Sequence, residues 1–222
     1  MSLAAADLDR VVKLRLFFGH QSIGQNILDG VRAVVAERSL AWGDALIGQN
    51  GAPETKLAAF REQMMNGMGR ETELALLKLC YVDFNAATDV RALFDSYKRA
   101  MTVIAAECPR TALVHVTVPL TTVTSGAKAW LKRRLGASVW GELENDKRHA
   151  FNELLRREYH SRSIFDLAEV ESGDPEHPQR YEFRGKLVPK LRAEYSEDGA
   201  HLNAEGRRVV GTELLRFLAG AL

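Results

Sequence analysis

The sequence predicts a doubly wound, three-layer α/β domain built on a five-stranded parallel sheet. Three observations predict it. Short apolar runs alternate with amphipathic helical stretches along the whole chain, the pattern of a parallel sheet with crossover helices. Its 222 residues are 46% hydrophobic and 27% charged, ordinary for a globular protein. No internal repeat, low-complexity stretch or linker divides it, so residues 1–222 read as a single domain.

The first strand is expected at 14–18, followed by a helix over 22–37 with Ile23, Ile27, Val31, Val34 and Val35 on one stripe. A short strand at 44–47 leads into the loop 48–53, which carries Gly48, Asn50, Gly51 and Pro53. A helix over 54–65 and a strand over 74–80 follow. The clearest helix runs over 88–107, where Val90, Leu93, Phe94, Tyr97, Met101 and Ile104 recur at spacings of three and four. Strand four is expected at 112–118, closed by Pro119, then a helix over 140–159 and strand five at 163–167. Residues 169–197 are less regular, with Gly173, Pro175 and Pro178 as breakers and a small hairpin at 181–188. This stretch is long for a connection inside a compact domain, which marks it as a cover for the active site or a packed surface hairpin. The last helix starts near Asn203, a good cap, and turns Val210, Leu214, Phe217, Leu218 and Ala221 inward.

Charge excludes some functions. Lys+Arg 30 against Asp+Glu 29 leaves no basic excess of the kind a nucleic-acid binder carries. The basic runs Lys132-Arg133-Arg134, Arg156-Arg157 and Arg207-Arg208 read as solvated helix faces. No apolar run reaches the ~18–20 residues that span a bilayer. Met1-Ser2-Leu3 reads as an added leader, so a natural signal peptide could have been trimmed and the compartment stays open. Cys80 is expected at the carboxyl end of strand three and Cys108 at the amino end of strand four. Those are opposite sheet edges, so both thiols are expected to be reduced. Oligomeric state is not legible.

In an open parallel sheet, ligands bind beyond the carboxyl ends of the strands. The loop after strand one reads Gly19-His20-Gln21-Ser22-Ile23-Gly24 and runs straight into a helix. Ser22 there would present its hydroxyl at the sheet edge, with its N–H in the positive first turn of the helix; taken alone it reads equally as a cap. The segment Asp198-Gly199-Ala200-His201-Leu202-Asn203 precedes the final helix. Asp and His three apart on a turn can bring carboxylate and imidazole into contact, leaving the second ring nitrogen free as a base. His20 either touches substrate or closes the strand-to-helix turn. His115 reads as a satisfied core histidine, and Trp42, Trp130 and Trp140 as packing. His149, His160 and His177 show no ligand spacing, so neither a catalytic metal nor another cofactor is expected.

The combination resembles the SGNH/GDSL hydrolase family over nearly the whole chain. Phe18-Gly19-His20-Gln21-Ser22 is similar to its first block, with His-Gln where a single Asp usually stands. Asp198-Gly199-Ala200-His201-Leu202-Asn203 is similar to its last. The stretch from Asn145 through Asn152 to Leu155, followed by Phe165-Asp166-Leu167, has the look of its fourth helix and fifth strand. The resemblance implies a flavodoxin-like sheet and a triad of Ser22, Asp198 and His201. It also implies an oxyanion hole in which the Gly51 N–H joins that of Ser22, and an acyl ester as the small-molecule substrate, an acetylated carbohydrate foremost. Where the family expects Gly-x-Asn-Asp, this chain reads Cys80-Tyr81-Val82-Asp83-Phe84-Asn85. Val82 replaces the asparagine that supplies a third oxyanion donor, leaving Asn85, or else the Tyr81 hydroxyl, as its substitute. Acyl transfer on the same residues, and a non-catalytic binding module on the same scaffold, are the alternatives. The α/β-hydrolase elbow Gly-x-Ser-x-Gly does not fit, because His20 stands where its first glycine belongs.

Overall fold

A computed structural model describes residues 3–68, 71–137, 139–173 and 176–221. In chain order the strands are β1 (Leu16–His20), β2 (Trp42–Leu46), β3 (Leu74–Leu77), β4 (Ala112–Val116), β5 (Ile164–Phe165), β6 (Arg180–Phe183) and β7 (Lys186–Pro189). The helices are α1 (Ala5–Val11), α2 (Ser22–Val35), α3 (Pro53–Gln63), α4 (Val90–Glu107), α5 (Ala127–Arg134), α6 (Glu142–Glu158), α7 (Leu167–Ser172) and α8 (Ala204–Ala221). A π-helical turn at Met64–Met68 prolongs α3, and short 3₁₀ turns lie at Tyr81–Asp83, Ser161–Ser163 and Ala193–Tyr195.

β1 to β5 form one sheet in the order β2-β1-β3-β4-β5, with every pairing parallel. This is the flavodoxin-like order, in which the chain reverses direction across the sheet at β1 and β3. Side chains alternate between the two faces, as the pleat requires. Leu16, Phe18, Leu74, Leu76, Val114 and Val116 join the core under α1, α2 and α8. Phe17, Ala75 and Leu77 join the other core, under α3, α4 and α6. The result is the three-layer arrangement.

The two helices that matter for the site cross at very short range. A methyl added at Gly30 of α2 would stand 1.9 Å from the Arg207 carbonyl of α8, and one at Gly211 would stand 2.4 Å from Gly30. Backbone therefore lies on backbone. α2, which starts at Ser22, and α8, which the His201 loop enters, are thereby packed directly on each other.

Several boundaries differ from the sequence expectation. β1 runs two residues further, to His20, and β2 starts at Trp42 rather than 44. β3 ends at Leu77, although the Lys78 N–H still donates to the Gly19 carbonyl of β1 at 3.0 Å; Cys80 lies beyond the strand. Cys108 follows α4, and both cysteines are buried. β5 keeps only two residues, since the Asp166 side chain accepts the Glu169 N–H and caps α7. α1, α5 and α7 are additional. The hairpin is the antiparallel pair β6–β7. The packing role expected for Trp130 is corrected: it is exposed, because α5 buries its Ala129 side instead, while Trp140, also about half exposed, keeps one side of its ring against Gly199. Trp42 does pack, half-buried, and its indole N–H donates to the Val11 carbonyl at 3.1 Å.

Candidate active site

The first site element is the β1–α2 turn. Gln21 is extended (φ −134°) and caps α2, so Ser22 is the first helical residue. The first intrahelical bond at this end runs from Gln25 N–H to the Gln21 carbonyl, which leaves the N–H groups of Ser22, Ile23 and Gly24 without helical acceptors. The Gln21 amide donates to the Ile47 and Gly48 carbonyls at 2.7 and 3.0 Å, tying this turn to the loop after β2. His20 closes the turn from below. It is fully buried and hydrogen-bonded through Nδ1 to the Gln21 carbonyl and through Nε2 to Asp44 Oδ2. Of the two expectations for His20, this placement matches closing of the strand-to-helix turn. Gly24 is small for a local reason, since a methyl there would sit 2.2 Å from His20 Cβ.

The second element is the turn before α8. Asp198 Oδ1 accepts the N–H groups of Ala200 and His201 at 2.8 and 2.7 Å, while its Oδ2 takes His201 Nδ1 at 2.7 Å. The hydrogen bond from His201, supported by the two backbone donors, holds the Asp198 carboxyl far below the usual carboxylate range. With Nδ1 occupied in this way, the other ring nitrogen faces the serine, and His201 Nε2 lies 3.1 Å from Ser22 Oγ. Two residues missed in the sequence reading keep this turn in place. Ser196 Oγ donates to the His201 carbonyl (2.7 Å) and receives the Gly199 N–H. Asn26 Oδ1 accepts the Leu202 N–H at 3.1 Å, linking α2 directly to the histidine loop. A buried asparagine one turn after Ser22, on an otherwise apolar stripe, is the signal that could have found it.

The loop after β3 forms the third side. The Tyr81 ring stands edge-on to His201, centroids 5.9 Å apart. Arg148 of α6 supports it from behind, donating to the Tyr81 carbonyl at 3.0 Å with its guanidinium over the ring. Arg148 is itself buried and bound to Asn145 Oδ1 and Thr121 Oγ1. Deeper still lie Lys78 and Glu171, both fully buried. Burial pushes the Glu171 carboxyl up to about 8 and the Lys78 ammonium down. Glu171 Oε2 accepts the Leu120 N–H at 2.6 Å.

Gly51 does not have the free N–H expected of it. That group donates to Asp83 Oδ1 at 3.0 Å. Asp83 is buried and ionised groups in such places gather donors: it also takes Lys56 Nζ on both oxygens (2.6 and 2.7 Å) and the Cys80 N–H at 2.7 Å. Asn85 shares an open groove of roughly 350 Å³ with Gly51 and Pro53. Its Oδ1 accepts the Ala87 N–H at 2.8 Å. The contacts described for Gly51 and Asn85 do not include Ser22 or His201. Among the described residues no three His, Cys, Asp or Glu side chains gather into a metal-binding group, and no helix is long and apolar enough to cross a membrane.

The chain has the SGNH/GDSL hydrolase fold. It is similar to a proposed platelet activating factor from Streptococcus pneumonia, at 15% identity and a TM-score of 0.57 over 94% of this chain and 85% of that one. It is similar to a proposed lipolytic protein of the G-D-S-L family from Desulfitobacterium hafniense, at 9% identity and a TM-score of 0.53 over 91% and 97% of the two chains. A third likeness is to the periplasmic domain of a lipopolysaccharide acetyltransferase from Salmonella ser. Paratyphi A, at 9% identity and a TM-score of 0.50 over 96% and 88%. In sequence, no family model and no curated protein matches the chain.

Proposed function

We propose that this protein is a serine hydrolase of acyl esters, with Ser22 as nucleophile, His201 as base and Asp198 as the group that orients it. The observation that carries the reading is the continuous line of contacts from Asp198 Oδ2 through the His201 ring to Ser22 Oγ, at 2.7 and 3.1 Å. Asp198 fixes the ring with its proton on Nδ1 and stabilises the imidazolium that forms. His201 Nε2 takes the Ser22 proton as Oγ attacks the ester carbonyl. The same nitrogen returns that proton to the departing alkoxide, and water then releases the acyl group by the reverse sequence. The developing oxyanion meets the Ser22 N–H at the positive end of α2. We assign the second donor to the Asn85 amide, because the Gly51 N–H is held by Asp83.

The preferred substrate is a small acyl ester such as an acetylated carbohydrate, in keeping with a half-exposed histidine that leaves room for a polar alcohol. Acyl transfer to a second alcohol uses the same groups, and the likeness to the Salmonella acetyltransferase domain favours keeping it as the second reading.

Intact-mass labelling with a fluorophosphonate tests the proposal. One adduct, mapped to Ser22 and lost in His201→Ala, is expected. Complete lack of labelling in correctly folded protein would point instead to a binding module on this scaffold. Acetylated sugars incubated with and without an added acceptor alcohol then separate hydrolysis from transfer.

A further inference from the structure

Large apolar side chains in the open are few, and they cluster. Of the six described ones that are more than half exposed, four lie between residues 130 and 140: Trp130 (57%), Leu131 (52%), Leu135 (75%) and Trp140 (51%). The helix that carries two of them, and is capped by a third, is turned the wrong way round for a soluble surface. α5 packs through Ala129, which joins Val123 and Val139 in a small buried cluster. Arg133, one turn on, holds Glu142 at 2.5 Å on that same inner side. At 3.6 residues per turn the opposite side belongs to Leu131 and Leu135, flanked by Trp130 and Arg134. The Arg134 guanidinium lies over the Trp130 ring, 5.0 Å from its centroid.

Charge decides what such a face meets. Residues 125–141 contain Lys128, Lys132, Arg133 and Arg134 and no acid, in a chain whose formal net charge is only +1. A central apolar pair ringed by tryptophan and basic groups is the composition of an interfacial helix, whose leucines enter the acyl boundary while lysine and arginine reach headgroup phosphates. A second copy of the chain would set this positive face against its own kind. A nucleic acid would find no use for exposed leucines.

We propose that α5, with the exposed Leu135 and Trp140 beside it, docks the protein on a lipid surface rich in anionic headgroups. The docking face borders the Ser22–His201 pair: the Trp140 ring lies against Gly199, whose carbonyl accepts the Thr122 N–H at 2.8 Å. This proposal concerns binding and stands apart from the esterase reading.

The test is vesicle flotation of the full chain, with tryptophan emission followed in parallel. Vesicles of phosphatidylcholine mixed with phosphatidylglycerol should carry the protein and shift its emission to the blue. Phosphatidylcholine alone should carry it far more weakly, and added salt should weaken the first interaction. Lys132→Gln/Arg134→Gln removes two exposed charges and should lower partitioning onto the anionic vesicles about twenty-five-fold, at about fivefold per charge. Leu131→Ser/Leu135→Ser, also at exposed positions, should lower it on the order of tenfold or more by removing apolar burial. Absence of binding to the anionic vesicles overturns the proposal, as does binding that both double variants retain in full. So does a dimer, seen by sedimentation velocity, that Leu131→Ser/Leu135→Ser converts to monomer without any vesicle binding; the face would then be a self-interface. Ester turnover enters none of these readouts, so failure here leaves the proposed chemistry untouched.

Discussion

The backbone N–H of Gly51 points at Asp83 Oδ1, 3.0 Å away, and is spent there on a buried carboxylate that also holds Lys56. A donor so engaged is lost to the oxyanion unless the loop rearranges. In a site that already has Val82 where an amide is expected, the demand on the remaining donors rises.

In the proposed mechanism that demand falls on Asn85. Asn85→Ala should lower kcat by about one hundred-fold or more with KM little changed, the effect of removing one oxyanion donor. Steady-state kinetics on an activated acetyl ester measure it. Near-full activity in this variant would shift the assignment to the Tyr81 hydroxyl or to the Ser22 N–H alone.

Asp198→Asn separates the two duties of that side chain. The amide oxygen can still accept the Ala200 and His201 N–H groups, so the turn and the melting temperature should be preserved. Its NH₂, however, would face His201 Nδ1 and drive the ring proton onto Nε2, against Ser22. Turnover should fall on the order of 10⁴-fold, as in other triads with a mis-set tautomer. A loss of less than about tenfold would remove Asp198 from the mechanism.

The Lys56–Asp83 pair is fully buried on both sides. Asp83→Ala leaves the lysine charge without its partner and strips the acceptor from Gly51 and Cys80. It should cost about 3–5 kcal/mol in urea unfolding. Lys56→Met/Asp83→Leu should recover part of that loss, since an apolar pair no longer buries a charge, but not all, because the two N–H groups stay orphaned. If Asp83→Ala unfolds at the parent's urea midpoint, the pair is not holding this loop.

Glu171 predicts a pH dependence of stability. Burial raises its carboxyl from 4.5 to about 8. Between those values the folded chain keeps a proton that the unfolded chain has released, so this group's contribution is greatest at the acid end and declines as pH rises through the window. Glu171→Gln cannot titrate. Its melting temperature relative to the parent should therefore climb steadily from about pH 5 to about pH 9. The buried Lys78 is present in both proteins, so the comparison isolates the glutamate to first order. Parallel melting curves across that range would contradict the assignment.

What the sequence determined is whatever rests on local backbone chemistry and on periodicity. The alternation of apolar runs and amphipathic helices specified the parallel three-layer sheet, because burial of one face per helix and both faces per strand leaves a readable period. The turn into α2 and the Asp-x-x-His turn before α8 were legible because each is made within a few residues by its own backbone. Those turns name Ser22, Asp198 and His201, which lie together in the structure. Only the tertiary structure decided the rest. That Gly51 gives its N–H to Asp83, 32 positions away, depends on where a buried charge finds its donors. His20 became a buried support because Asp44 on the neighbouring strand was there to receive it. Periodicity likewise says that a helix has two faces, but not which one the body of the protein covers. In α5 it covers Ala129 and leaves Leu131 and, at the C-terminal cap, Leu135 outside, since Val123 and Val139 stand on the Ala129 side.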